Sequence, residues 1–154
     1  MTVEFRPVTR DNWTKLIKLK VRDDQQNFVA SNLYSIAESQ FGFEDEGEWK
    51  FDPFGLYVHD EPVGFLMYGV NYGHSRFQAF IIRLMVDERF QGRGYGKESM
   101  RLLLEKLRAD ENLKSAGISY EPHNETARKL YASLGFVETG ELLDAETLAI
   151  VNLR

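Results

Sequence analysis

Seven residues in the middle of the chain, Gln91-Gly92-Arg93-Gly94-Tyr95-Gly96-Lys97, combine the ingredients of an anion cradle. Glycines let a backbone approach a ligand closely and turn successive N–H groups toward one point, and a helix N-terminus adds about half a positive charge. An apolar strand precedes the loop and an amphipathic helix follows it, which is where a phosphate or diphosphate is held. A strand-to-helix turn also takes glycines for geometry alone, and the letters do not separate the two readings. They do exclude two familiar phosphate loops. Lys97 is followed by Glu98 rather than Ser or Thr, and Gly92, Gly94 and Gly96 are spaced GxGxG in mid-chain rather than GxGxxG after a first strand.

Composition narrows the remaining chemistry. The 154 residues include no cysteine, which removes thiolate metal sites, disulfides and cysteine nucleophiles. His59, His74 and His123 are scattered and lack HExxH spacing, so no metal is expected. A net charge of −5 argues against a nucleic-acid partner. Eight of the 24 acids fall between Glu38 and Glu61, against the single base Lys50. This segment reads either as a solvated acidic loop or as an electrostatic funnel for a cationic ligand, with Glu38, Glu44 and Glu48 as candidate substrate-binding carboxylates. Apolar runs are only a few residues long, as at Ala79 to Ile82, and the first residues lack a signal-peptide pattern. The expectation is a cytoplasmic protein with no membrane contact.

The elements that must position these residues follow from periodicity. Val3 to Val8 alternates as a strand, and Thr9 is a candidate N-cap for a helix carrying Trp13, Leu16 and Ile17. A short helix over Asn32 to Gln40 precedes an irregular Gly- and Glu-rich stretch. Phe54 to His59 and Val63 to Val70 read as a hairpin, and Phe77 to Val86 as a strand covered on both faces. Met100, Leu103, Leu104 and Leu107 form the stripe of a helix that begins at Gly96. After a strand from Ala116 to Tyr120, Asn124 caps a helix with Ala127, Leu130, Tyr131 and Leu134 on one face and Gly135 at its end. Spacing alone makes Tyr131 a core aromatic. Two strands around Asp144-Ala145-Glu146 finish the chain. The order describes one mixed α/β sheet flanked by helices, in a single domain over residues 1–154.

Two of these segments together resemble the GNAT N-acetyltransferases. The signature Gln/Arg-x-x-Gly-x-Gly/Ala is matched by Gln91, Gly94 and Gly96, and Asn-x-x-Ala-x-x-Leu-Tyr-x-x-x-Gly-Phe by Asn124, Ala127, Leu130, Tyr131, Gly135 and Phe136. A finer resemblance, in Val63-Gly64-Phe65-Leu66-Met67-Tyr68-Gly69 and Val86-Asp87-Glu88-Arg89-Phe90-Gln91-Gly92, is to bacterial spermine/spermidine acetyltransferases. The resemblance implies a mostly antiparallel sheet of about seven strands, splayed at an acetyl-CoA site, with acetyl-CoA as co-substrate. It implies that the backbone of Leu84, Met85 and Val86 meets the pantetheine arm, and that amides of Gln91, Gly92, Arg93, Gly94, Tyr95, Gly96 and Lys97 take the diphosphate. Asn124 and Lys129 complete the cofactor-binding set, and Tyr131 becomes the general acid for the departing thiolate. Relatives form dimers or larger rings, so a homo-oligomer is implied as well.

Acetyl transfer to an amine needs a neutral nitrogen, and an alkylammonium of pKa about 10.4 costs about 4–5 kcal/mol to deprotonate at pH 7. Many relatives place a carboxylate on the strand before the glycine loop, whereas Phe80 to Val86 contains none. The base is therefore unassigned among Glu38, Glu44, Glu48, a water, or capture of the rare neutral amine, with His123 reading better as an exposed turn residue. The acceptor expected from the acidic segment is a polyamine. The alternatives are a peptide or another small amine, or a sensor that binds acyl-CoA without turnover.

Overall fold

A computed structural model of the chain describes residues 2–28 and 30–154, with the backbone alone for Asn27 and Phe28. The strands are β1 (Glu4–Pro7), β2 (Phe43–Glu44), β3 (Glu48–Val58), β4 (Glu61–Val70), β5 (Ala79–Val86), β6 (Ser115–Tyr120), β7 (Val137–Leu143) and β8 (Glu146–Asn152). The helices are α1 (Trp13–Leu16), α2 (Asn32–Phe41), α3 (Tyr95–Arg108) and α4 (Glu125–Ser133), with 3-10 turns at Asp23–Phe28 and Glu88–Phe90. The sheet runs β1-β3-β4-β5-β6-β8-β7, and β2 pairs with β3 off this path. It has eight strands rather than about seven, the addition being the two-residue β2. Every described pair is antiparallel except β5 with β6.

Alternation buries the central strands on both faces. Along β4, Leu66 and Tyr68 join a core beneath α3 and α4, while Phe65 and Met67 join a second core with Leu16, Trp49, Phe51 and Phe80. The same alternation corrects the reading of the acidic stretch. β3 begins at Glu48 rather than Phe54, because Trp49 and Phe51 are buried while Glu48, Lys50 and Asp52 between them stay exposed. Helix α1 is also shorter than its spacing suggests. Its N-cap position is Asn12 rather than Thr9, and the Asn12 side chain turns back to accept from the Thr9 N–H (2.8 Å) and donate to the Pro7 carbonyl (3.0 Å).

Two constraints place β5. Gly64 on β4 lies so close to it that a Cβ would stand 2.4 Å from the Met85 carbonyl oxygen. Beyond β5, the buried Asp87 carboxylate accepts from the Lys20 N–H (3.1 Å), the Arg89 N–H (3.0 Å) and Arg89 Nε (2.8 Å). Its own N–H donates to the Val63 carbonyl (2.8 Å). Burial works to raise the Asp87 pKa, but the Arg89 and Lys20 hydrogen bonds outweigh it and hold the carboxyl below its ordinary value.

Gly64→Ala should cost about 1–3 kcal/mol in urea unfolding, since backbone rather than a flexible side chain must yield. Because the Asp87 pKa is depressed in the native state, its contribution is present above the ordinary carboxylate range and is lost as pH falls through the native value. Asp87→Asn should therefore lower stability by about 1–3 kcal/mol at pH 7, the gap from the parent closing as the pH is taken below about 4.

Candidate active site

The site begins where the sheet stops being a sheet. β5 and β6 pair in register only at Ala79 with Ala116, Phe80 with Gly117 and Ile81 with Ile118. The β4 register jumps from Met67 opposite Arg83 to Tyr68 opposite Ile81, so Ile82 is a bulge residue with no partner on β4. From there β5 leaves β6 and runs on to Val86 with no strand paired on that side, where there is room for another extended chain.

The gap is a cleft of about 370 Å³ whose walls include Leu84, Met85 and Val86 on one side and Asn124, Ala127 and Tyr131 on the other. One end is the glycine loop. Gly92 and Gly94 adopt φ of +79° and +82°, and a Cβ on either would meet no neighbouring atom. They are glycines for backbone conformation, and the loop is open above them. Gly94 is the N-cap of α3 and supplies no side chain, so the first-turn N–H groups of that helix remain available to an anion. Gln91 steadies the loop, with Nε2 donating to the Val86 carbonyl (2.9 Å) and to Gln25 Oε1 (3.0 Å).

The loop and the strand lie together at the cleft, and three of the residues expected there offer it no side chain. Arg93, Lys97 and Lys129 are exposed and do not line the cleft, and Arg93 lies over the Phe90 ring at 5.4 Å. Tyr95 lines it, yet its ring is buried in the core under α3. The floor contributed by Val21, Arg22 and Gln25 was not foreseen, because the turn that carries it has no motif.

Tyr131 stands at the junction with a second hollow of about 580 Å³, which shares Leu84, Asn124, Ala127 and Tyr131 with the first. Asn124 caps α4 by accepting from the Ala127 N–H (3.1 Å), which leaves its amide NH₂ free at this junction. The Tyr131 ring packs against Tyr120 and Phe136. Burial raises its phenol pKa well above the ordinary value, with Tyr120 and Glu146 adding to the rise. No hydrogen bond from a described residue contributes. The hydroxyl is therefore fully protonated at neutral pH and free to donate. Tyr120 is likewise pushed up to about 12, by burial and by its hydrogen bond to Glu138 Oε1 (2.9 Å).

The second hollow carries the carboxylates Glu38, Asp144 and Glu146 around one guanidinium, Arg83. Of the three predicted acidic residues only Glu38 is here, 3.5 Å from Arg83. Glu44 does not line the hollow, although its neighbour Phe43 does, and Glu48 lines a separate depression with Lys106 and Asp110. The acidic segment is thus divided among several surfaces of the molecule. Two of its members bind protein groups elsewhere: Asp60 pairs with Arg6, and Glu46 accepts from the Ser75 N–H and hydroxyl at 3.0 Å each. His123 is exposed on its turn.

One grouping contradicts the scattered appearance of the histidines. His74 is buried with Nε2 3.2 Å from both Asp45 Oδ2 and Glu46 Oε2, and these ligand atoms lie within 4.8 Å of one another. Its Nδ1 faces the N–H groups of Arg76 (3.3 Å) and Phe77 (3.2 Å) and must accept. The proton of the neutral ring is then on Nε2, which donates to the carboxylates, so the lone pair a metal would need there is not available.

Comparison with known proteins agrees with this geometry. The model of the acetyltransferase (GNAT) family matches residues 13–136. The chain is 30% identical over 147 residues, 92% of each chain, to the spermine/spermidine N(1)-acetyltransferase of Bacillus subtilis strain 168. It is 29% identical over the same length to a probable spermine N(1)-acetyltransferase of Bacillus subtilis subsp. natto. Among solved structures, the spermidine N-acetyltransferase of Vibrio cholerae in complex with CoA and spermine superposes with a TM-score of 0.73 at 16% identity, covering 99% of this chain and 96% of that one. An aminoglycoside acetyltransferase in complex with coenzyme A and kanamycin gives 0.75 at 18% identity, covering 98% and 95%. With a family match over residues 13–136 and a relative 30% identical across 92% of both chains, the chain belongs to the acetyltransferase (GNAT) family and is an N-acetyltransferase.

Proposed function

We propose that the enzyme acetylates a primary amine of a polycation such as spermine or spermidine by direct attack on a thioester. The observation that carries this reading is the charge of the second hollow, where three carboxylates and a single guanidinium share the lining with Tyr131. An oligoamine with several ammonium groups is drawn to such a surface, and at neutral pH it is almost wholly charged. The likeness to relatives named for spermine and spermidine points the same way.

Acetyl-CoA, when bound, supplies the acetyl group as an activated thioester. The free edge of β5 over Leu84, Met85 and Val86 offers backbone groups to an extended amide-bearing arm, and the first turn of α3 with Gly92 and Gly94 receives a diphosphate. The free amide of Asn124 lies at the junction of the two hollows. Tyr131 is kept protonated by its burial and is the donor for a departing thiolate, and the apolar walls keep water from competing. A chain with no cysteine forms no acyl-cysteine, in keeping with one-step transfer.

A second reading, an aminoglycoside acceptor, is favoured by the superposition on an enzyme solved with kanamycin, and it shares the requirement for an acidic hollow. Thiol release from acetyl-CoA, measured against spermine, spermidine, putrescine, kanamycin, lysine and a basic peptide with the product mass checked, separates the readings. Turnover restricted to polyamines is expected, and preference for kanamycin or the peptide would replace the acceptor assigned here. Tyr131→Phe should lower kcat by roughly 10²-fold or more with coenzyme A affinity unchanged, the usual scale for losing a general acid. Asp144→Lys, at the exposed rim of the hollow, should raise KM for spermine several-fold and weaken its salt dependence while leaving acetyl-CoA KM unaltered.

A further inference from the structure

The proton that an acceptor ammonium must lose has no carboxylate to go to on β5, where Ile82 and Arg83 occupy the stretch facing the hollow. Three carboxylates line that hollow, and their surroundings separate them. Glu38 is held by Arg83. Asp144 is exposed at the hairpin tip, with φ of +48°. Glu146 is half-buried at the start of β8, and one of its oxygens accepts from Ser119 Oγ at 2.8 Å. Its second oxygen accepts from no side chain and forms no ion pair among the described residues. Ser119 lines the same hollow from β6, one residue before Tyr120, and Tyr131 lines it from α4.

We infer that Glu146, oriented by Ser119, is a catalytic residue: its free carboxylate oxygen binds the reacting ammonium and takes its proton. The first bond to break is an N–H of the acceptor, whose proton passes to Glu146. The nitrogen lone pair so released forms the C–N bond of the amide as the C–S bond of the thioester breaks. Tyr131 supplies a proton to sulfur, the nitrogen's second proton restores the Tyr131 hydroxyl by way of solvent, and Glu146 passes the first to solvent. The balance is one amide, one thiol and one proton from one ammonium and one thioester. The charged and titratable groups facing Glu146 are Glu38 from α2, Arg83 from β5, Tyr120 from β6, Tyr131 from α4 and Asp144 from its own hairpin.

The pH dependence of kcat/KM in Glu146→Gln tests this on whichever primary amine of the panel turns over, so the outcome does not depend on spermine being the acceptor. At pH 7 a loss of about 10²-fold or more is expected, narrowing steadily toward pH 10 where the amine arrives already neutral. A loss of the same size at every pH, or one under twofold, overturns the assignment. Calorimetric affinity for the same amine should fall about tenfold, with coenzyme A affinity and thermal midpoint unchanged. Unaltered amine affinity would also contradict the role. Should the Gln variant fail to bind coenzyme A, Ser119→Ala provides the test, because the carboxylate loses the donor that orients it, and kcat/KM should fall several-fold at pH 7 and recover toward pH 10. A loss that does not recover there excludes Glu146 as the proton acceptor.

Discussion

Ile81 and Ile118 are the last residues at which the two halves of the sheet hold each other, and every feature of the site depends on both strands continuing past that point without pairing. β5 runs on to Val86 and β6 to Tyr120, and the backbone groups between them face a gap instead of a neighbour. Unpaired strand edges are normally a liability and are blunted by charge, bulges or cover. Here the edge is covered by α4, whose Asn124, Ala127 and Tyr131 stand across the gap, and its bulge at Ile82 turns β5 away. The tight crossing at Gly64 and the hydrogen bonds around Asp87 fix the far end of the same strand, so the free edge is rigid although nothing pairs with it.

The legible parts of the site are those where chemistry follows from residues close in sequence. The glycine loop, the Asn124 cap and the α4 stripe bearing Tyr131 are local patterns, and they appear in the structure where their spacing places them. Charge was harder to interpret. The density of acids from Glu38 to Glu61 says that carboxylates are present, but the side of a pleat on which each lies depends on register, and β3 starts six residues earlier than its apolar run suggests. Glu38, on α2, reaches the hollow, while Glu48, on β3, lies elsewhere. Glu146 and Ser119 are joined only because β8 inserts between β6 and β7, a strand order that no local pattern encodes.

The two uses of acidic residues in this molecule differ in what faces them. Around His74, carboxylates receive the proton of a ring whose other nitrogen is occupied by backbone N–H groups, and the result is a bracket that ties the turn after β4 to the segment before β3. In the hollow beside Tyr131, a carboxylate oxygen is left without a partner at a site roomy enough for an amine.

The parted strands also bear on how the molecule holds together. The antiparallel strands β3, β4 and β5 form one cooperative block and β6, β8 and β7 another, joined through three residue pairs of parallel sheet and the helices laid across them. Local opening should favour this seam over either block, since the fewest backbone hydrogen bonds cross it. A ligand lying in the cleft touches both walls of the seam at once and acts as a clasp. Occupancy and resistance to opening are then linked, so the stability of this enzyme is a function of the concentration of what it binds.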